Sequence, residues 1–214
     1  MTELAINEIY FSVQGESSFI GLPCIFIRTM GCSLRCSYCD TEYAFYEGKK
    51  MSFEDILAKT KVYSAKLVLL TGGEPLDQKE SYELLTLLCD NGYEVCLETA
   101  GHRDVTNVDQ RVHIILDMKT PSSLMMKRNR YENLKLVNKK DEVKFVIGSE
   151  DDLVWSVNLV NEHKLTETTQ VIFSPIFGKV TYEWLAKEVL NTGLPIRFQV
   201  QLHKIVWDPK KKGV

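Results

Sequence analysis

No stretch of this chain approaches the ~20 consecutive apolar residues that a membrane-spanning helix needs. Its first residues, MTELAINEIYF, lack the charged start and apolar run of an export signal, and the expectation is a cytoplasmic protein. A basic excess is missing as well. The 26 Lys and Arg are outnumbered by 29 Asp and Glu, for a formal net charge of −3, which makes non-specific nucleic-acid binding a poor function class. Low-complexity tracts, Pro/Gly-rich linkers and close repeats are absent, so nothing in the 214 residues marks a domain boundary. We read one domain over 1–214, with an N-terminal extension at 1–22. Cysteine is scarce, at six residues, and a disulfide framework does not suit a chain of this size without an export signal.

What is present is a strand-then-helix rhythm. Short runs rich in Val, Ile, Leu and Phe at 23–29, 66–71, 94–99, 113–118, 142–147, 170–173 and 196–202 read as strands buried on both faces. A further strand is expected at 7–14. Helical segments separate several of them. Ser52, with Asp55 three residues on, opens one as an N-cap. Residues 80–89 carry Leu84, Leu85, Leu87 and Leu88 and stop at the Asn91-Gly92 turn, and 151–163 and 181–192 read as two more helices. Alternation of this kind implies an α/β fold with a parallel sheet. About seven units in a chain shorter than the ~250 residues of a closed eightfold barrel point to an incomplete, TIM-like barrel of about six to seven β/α units. Arg28, Thr71, Glu98, Asp117, Lys119, Ser174 and Gln201 all fall at or just beyond the C-terminal ends of these strands, the edge on which barrel active sites are built.

Three of the cysteines form Cys32-Ser-Leu-Arg-Cys36-Ser-Tyr-Cys39, directly after the first barrel strand. Clustered thiolates bind soft metals. A [4Fe-4S] cluster ordinarily uses four cysteines, so three leave one iron open to chelate the amine and carboxylate of an amino acid. A zinc site stays open as an alternative, with a fourth ligand drawn from Cys24, Cys89, Cys96 or a histidine, and so does a disulfide with a spare thiol. After the next strand stands Thr71-Gly72-Gly73-Glu74-Pro75. Its glycines let backbone approach a ligand and Glu74 can accept from an ammonium group; a plain Gly-Gly turn is the alternative.

C-x3-C-x2-C followed by this Gly-Gly-Glu-Pro turn resembles the radical S-adenosylmethionine (SAM) superfamily, with the cluster loop at 31–41. The resemblance implies a [4Fe-4S] cluster on Cys32, Cys36 and Cys39 that cleaves SAM to methionine and a 5′-deoxyadenosyl radical, which abstracts hydrogen from substrate. Within the superfamily the chain is most similar to the 7-carboxy-7-deazaguanine synthases. That similarity runs over essentially the whole chain: Asn7-Glu8, Phe11-Ser-Val-Gln14-Gly15-Glu16, Phe26-Ile-Arg28, Gly31-Cys32, Cys39-Asp40-Thr41, the Thr71 to Pro75 turn, Glu98-Thr99 with Gly101, and Gln201-Leu-His203-Lys204. It implies a lyase that contracts the ring of 6-carboxy-5,6,7,8-tetrahydropterin to 7-carboxy-7-deazaguanine with loss of ammonia, in queuosine-type deazapurine biosynthesis. It also implies Mg2+, a homodimer and an electron donor such as flavodoxin or ferredoxin. The alternative within the superfamily is an activating enzyme that makes a glycyl radical on a partner protein.

By the same resemblance Val13, Gln14, Gly15, Glu16, Arg28, Thr71 and His203 bind substrate. A pterin carries a donor–acceptor edge that Gln14, Glu16 and the backbone at Val13 and Gly15 can read, and Arg28 can hold its carboxylate through a planar fork. Arg28 can equally neutralise a structural carboxylate, and Gln14 and Glu16 can be plain loop residues. Tyr38, Cys39, Asp40, Gly73, Glu74, Asp117, Met118, Lys119 and Ser174 are expected at SAM. Thr41 is expected at Mg2+, or else as the cap of a turn. His203 and Lys204 line a pocket rim or lie on ordinary surface, and the lysines at 210–212 read as a solvated tail. Ser17 stands where the resembling family often has Gly, and Asp117-Met118-Lys119 where many of its members have Ser-Pro-Lys.

Overall fold

The computed structural model describes residues 2–214. Its strands are β1 (Glu3–Val13), β2 (Pro23–Thr29), β3 (Lys49–Ser52), β4 (Leu67–Gly72), β5 (Glu94–Thr99), β6 (His113–Met118), β7 (Glu142–Ile147), β8 (Gln170–Pro175) and β9 (Ile196–Phe198). The helices are α1 (Phe53–Thr60), α2 (Glu80–Asp90), α3 (Glu150–Glu162), α4 (Leu165–Thr168), α5 (Tyr182–Asn191) and α6 (His203–Val206). All nine strands join one sheet in the order β3-β1-β2-β4-β5-β6-β7-β8-β9. From β2 through β9 every pairing is parallel, as the alternating pattern requires. The N-terminal extension adds an antiparallel edge, β1 on β2 and β3 on β1. The sheet does not close, so the α/β partial barrel expected from the sequence is the architecture observed.

Capping chemistry sets the helix starts. Ser52 Oγ accepts from the Asp55 amide at 3.1 Å, and Ser149 and Thr181 open α3 and α5 in the same way. The four-residue strand β3 was not foreseen, and β9 ends at Phe198 rather than at 202. Beyond β9 the chain has other partners. The Gln199 side chain bonds both the amide and the carbonyl of Ser17, and the Leu202 amide donates to Gly15 O at 3.0 Å. The links from β5 to β6 and from β6 to β7 carry no α-helix, only turns and short 3-10 segments.

Strand alternation divides the side chains between two faces. Ile25, Ile27, Val68, Leu70, Leu97, Leu116, Phe145 and Phe173 pack into the main core with the helices. On the other, concave face a smaller cluster of Cys24, Phe26, Leu67, Leu69, Cys96 and Ile115 fills the floor. One step further along the same strands, toward their C-terminal ends, the concave residues turn polar: Arg28, Thr71, Glu98, Asp117 and Lys144. Registers Arg28↔Thr71 and Asp117↔Lys144 place them side by side. Among the described residues no helix is long and apolar enough to cross a membrane.

Candidate active site

Above this polar row opens a cavity of about 590 Å³, walled by the C-terminal strand ends, the 32–41 loop, the Gln14-Gly15-Glu16 turn, His203-Lys204 and the C-terminal tail. Cys32, Cys36 and Cys39 all face it. The other three thiols do not. Cys24 and Cys96 lie in the apolar floor, where burial pushes the Cys24 thiol up to about 12, and Cys89 sits on α2. No fourth thiol is therefore available to Cys32, Cys36 and Cys39. Nor does any group of three or more His, Cys, Asp or Glu among the described residues converge on a single ion. Three cysteines on one wall without a common focus suit a cluster, in which each binds a different iron, better than a tetrahedral zinc.

The cluster loop is held by the turn after β4. Glu74 N donates to Gly31 O at 2.8 Å, and a Cβ on Gly73 would overlap that same carbonyl, so the turn and the loop touch backbone to backbone. Asp77 accepts from Ser33 N at 2.7 Å and from Arg103 Nε at 2.6 Å, and Gln78 Nε2 donates to Met30 O at 3.2 Å. Glu74, expected at SAM, is engaged within the fold. Its side chain is fully buried and absent from the cavity wall. Its oxygens accept from Leu76 N, Thr99 Oγ1 and Ala100 N at 3.0, 2.7 and 2.7 Å. Burial pushes this carboxyl up, against those hydrogen bonds. Glu74 ties β4 to β5, and what the motif shows the cavity is Thr71 and the backbone of Gly72 and Gly73. Met118, also expected at SAM, turns its side chain into the main core, opposite Asp117, and can meet a ligand only through its backbone. Ser174 is 2% exposed and does not line the cavity.

Tyr38, Asp40, Asp117 and Lys119 do line the cavity. Lys119 Nζ donates to Asp117 Oδ2 at 2.9 Å, yet Asp117 Oδ1 and the Tyr38 hydroxyl are buried without a partner. Orphaned buried polar atoms beside two cluster cysteines mark a polar ligand's place. Thr41 stands at the cap position of a 3-10 turn, Glu42–Phe45, but its hydroxyl makes no capping bond. Its one hydrogen-bonding neighbour is Cys39 Sγ at 3.8 Å, which leaves the oxygen free and removes the turn-cap alternative.

On the substrate side, three motifs far apart in sequence meet. His203 packs its ring where a Cβ on Gly15 would stand, Gln201 Nε2 donates to Glu16 Oε1 at 2.7 Å, and Lys204 Nζ reaches Asp40 Oδ2 at 2.6 Å. Glu16 is not a plain loop residue. Burial pushes its carboxyl up, but Lys144, His203 and the hydrogen bonds from Lys144 and Gln201 prevail and hold it at about 2. Ser17, next in line, adopts φ +68°, a backbone conformation natural to the Gly of similar proteins; its Oγ accepts from Phe19 N at 3.1 Å. Arg28 lines the cavity but is already engaged, with Glu8 Oε1 at 2.9 Å, Gly72 O at 3.3 Å and Tyr10 OH at 3.1 Å. Thr71 Oγ1 donates to Glu98 Oε2 at 3.0 Å. Residues 210–212 are no free tail: they line the cavity, and Lys212 Nζ lies 3.9 Å from the Tyr43 ring centre. Sequence reasoning passed over Lys144. The signal was there, a lysine in the middle of the apolar strand Glu-Val-Lys-Phe-Val-Ile.

A family model, the Radical SAM superfamily, matches residues 26–186. A partial parallel barrel with three cysteines on its C-terminal rim thus defines a radical SAM enzyme. The chain is 43% identical to the 7-carboxy-7-deazaguanine synthase of Chlorobaculum tepidum, over 99% of this chain and 97% of that one. It is 41% identical to that of Koribacter versatilis, over 99% and 100%. The crystal structure of QueE from Escherichia coli matches with a TM-score of 0.76 at 25% identity, covering 94% and 95%. The chain belongs to the 7-carboxy-7-deazaguanine synthase family.

Proposed function

We propose that the protein contracts 6-carboxy-5,6,7,8-tetrahydropterin to 7-carboxy-7-deazaguanine with release of ammonia, as a radical SAM lyase in queuosine-type deazapurine biosynthesis. The observation that carries this reading is the meeting of the cysteine loop, Gln14-Gly15-Glu16 and Gln201-Leu202-His203-Lys204 around one cavity. Cys32, Cys36 and Cys39 would hold the [4Fe-4S] cluster. Tyr38, Asp40, Gly73, Asp117 and Lys119 line the side on which SAM would lie, and Thr41 offers a free oxygen to Mg2+. When bound, cluster and SAM supply a carbon-centred radical able to take a hydrogen atom from substrate.

The chain's own residues bind and orient. Gln14, Glu16 and the Val13 and Gly15 backbone would read the pterin edge, with Thr71 and His203 beside them. Arg28 would hold the carboxylate with the N–H groups left over from Glu8. Mg2+ wants about six oxygens; Thr41 would supply one, and water and the substrate carboxylate would have to supply the others. By family resemblance the enzyme works as a homodimer of single radical SAM domains, in the reducing cytoplasm, and takes its electron from a flavodoxin or ferredoxin. The near-full-length synthase relatives disfavour the glycyl-radical activating alternative. The test is an anaerobic assay with the pterin, SAM, Mg2+ and a reductant. A deazapurine product identified by mass should form with no partner protein present; SAM cleavage without that product overturns the reading.

A further inference from the structure

Lys144 stands in the centre of the polar row on β7, its side chain 5% exposed. Its ammonium donates to Glu16 Oε2, and to Glu98 Oε1 at 3.1 Å. The outer oxygens of both carboxylates are fixed as well, Glu16 Oε1 by Gln201 and Glu98 Oε2 by Thr71. One cation on β7 thus couples a carboxylate from the N-terminal turn to a carboxylate on β5. A buried ammonium costs several kcal/mol in lost solvation unless it is well paired. Both carboxylates that its ammonium pairs with line the cavity.

We propose that Lys144 is the positioning residue that pairs with Glu16 and aims its carboxylate into the cavity, so that the site selects ligands presenting two adjacent N–H donors. The inference rests on the pterin reading above and deepens it. An aminopyrimidinone edge offers a ring N–H beside an exocyclic NH2, and a fixed carboxylate accepts from both. A ring with a carbonyl in place of the amino group turns a lone pair toward the same carboxylate and is rejected. Without Lys144, Glu16 and the part-exposed Glu98 have no cation between them, and Glu16, the more deeply buried of the two, takes up a proton more readily. A protonated Glu16 no longer distinguishes an N–H from a carbonyl. The groups acting on Glu16 are Lys144 on β7 and Gln201 and His203 from the C-terminal segment, and Lys144 in turn faces Glu98 on β5 and Asp117 on β6. Burial keeps His203 below its usual range, so it adds little positive charge near neutrality.

The test uses anaerobically purified, cluster-loaded protein with SAM and Mg2+, and two fluorescent probes, pterin-6-carboxylate and lumazine-6-carboxylate, which differ only in the amino-for-carbonyl exchange. The parent protein should favour the pterin by ~10–100-fold, the scale on which a mispaired buried charged group is penalised. Its preference for the pterin should hold between pH 7 and 5, a ratio in which protonation of His203 affects both probes alike. In Lys144→Met the preference should shrink to within about threefold, and pterin binding should weaken as pH falls. Lys144→Arg, which keeps the cation, should retain the preference. Equal loss of both probes in Lys144→Met, without a pH slope, overturns the proposal and leaves a structural role. Equal binding of both probes by the parent overturns it without any variant. If the parent binds neither probe, it is the pterin reading itself that fails.

Discussion

At the scale of single residues, two atoms separate holding the cluster from using it. Gly73 lies against the Gly31 carbonyl, with no room for a Cβ. Gly73→Ala forces backbone apart rather than a side chain, and overpacking of this kind costs ~1–3 kcal/mol. The loop that gives way is the one carrying Cys32. The expected result is a lower iron content per chain after anaerobic reconstitution; a variant that loads iron as fully as the parent refutes the role given to this contact. Thr41 has the opposite character, a hydroxyl with nothing to hold in the fold. Thr41→Ala should keep iron content and SAM affinity, and should lose the acceleration of turnover by Mg2+. An unchanged Mg2+ response would shift the ligand role to Asp40, whose carboxylate now pairs with Lys204.

At the scale of elements, the C-terminal segment from α6 to Val214 acts as a wall rather than as an appendage. Lys204 anchors its start on Asp40 at 2.6 Å, but the attachments of its last residues, 208–214, are modest. The Lys212–Glu47 pair, at 3.4 Å with both side chains more than half exposed, contributes at most ~1 kcal/mol. The Lys212 contact with the Tyr43 ring contributes ~0.5–1 kcal/mol. A wall held this weakly can open for substrate and close behind it. Deleting residues 208–214 should raise the Michaelis constant for the pterin about tenfold, as that weak closure is lost. Iron content and melting temperature should change little. A truncated enzyme with the parent's Michaelis constant would show that the wall does not contact substrate.

At the scale of the whole molecule, the cavity charges link binding to stability. Glu16, at about 2 in the fold against an ordinary 4.5, is depressed. A depressed carboxyl adds stability that is complete above its unfolded value and is lost as pH falls through its folded one. Its contribution therefore disappears between roughly pH 4.5 and 2, just where the substrate-reading turn must release Lys144. Melting temperatures of the parent should fall more steeply across that window than those of Glu16→Gln, although the variant starts lower. Parallel curves would mean that Glu16 is not a principal acid-sensitive group of the fold.

The parallel sheet, the cysteine loop and the capped helix starts were legible in the sequence because each depends on near neighbours: apolar runs such as Cys24-Ile-Phe-Ile27, thiols three and four residues apart, Ser52 with Asp55. The strand ends were legible too, since alternation decides which of two adjacent residues meets the cavity, although it took the sheet to show that Met118 turns away where Asp117 does not. What near neighbours do not carry is the partner of a polar side chain. Glu74 reads as a ligand for an ammonium until β5 brings Thr99 and Ala100 onto its oxygens. Arg28 reads as a free fork until β1 brings Glu8 and Tyr10. Lys144 reads as an oddity in an apolar strand until residues 128 positions away, and on β5, pair with it. Sequence determined which chemistry is present, because residue type and spacing fix donors and acceptors. Only the tertiary structure decided which of those groups are already satisfied inside the fold and which remain free for a ligand, because a buried polar atom must find its partner wherever the chain happens to place one.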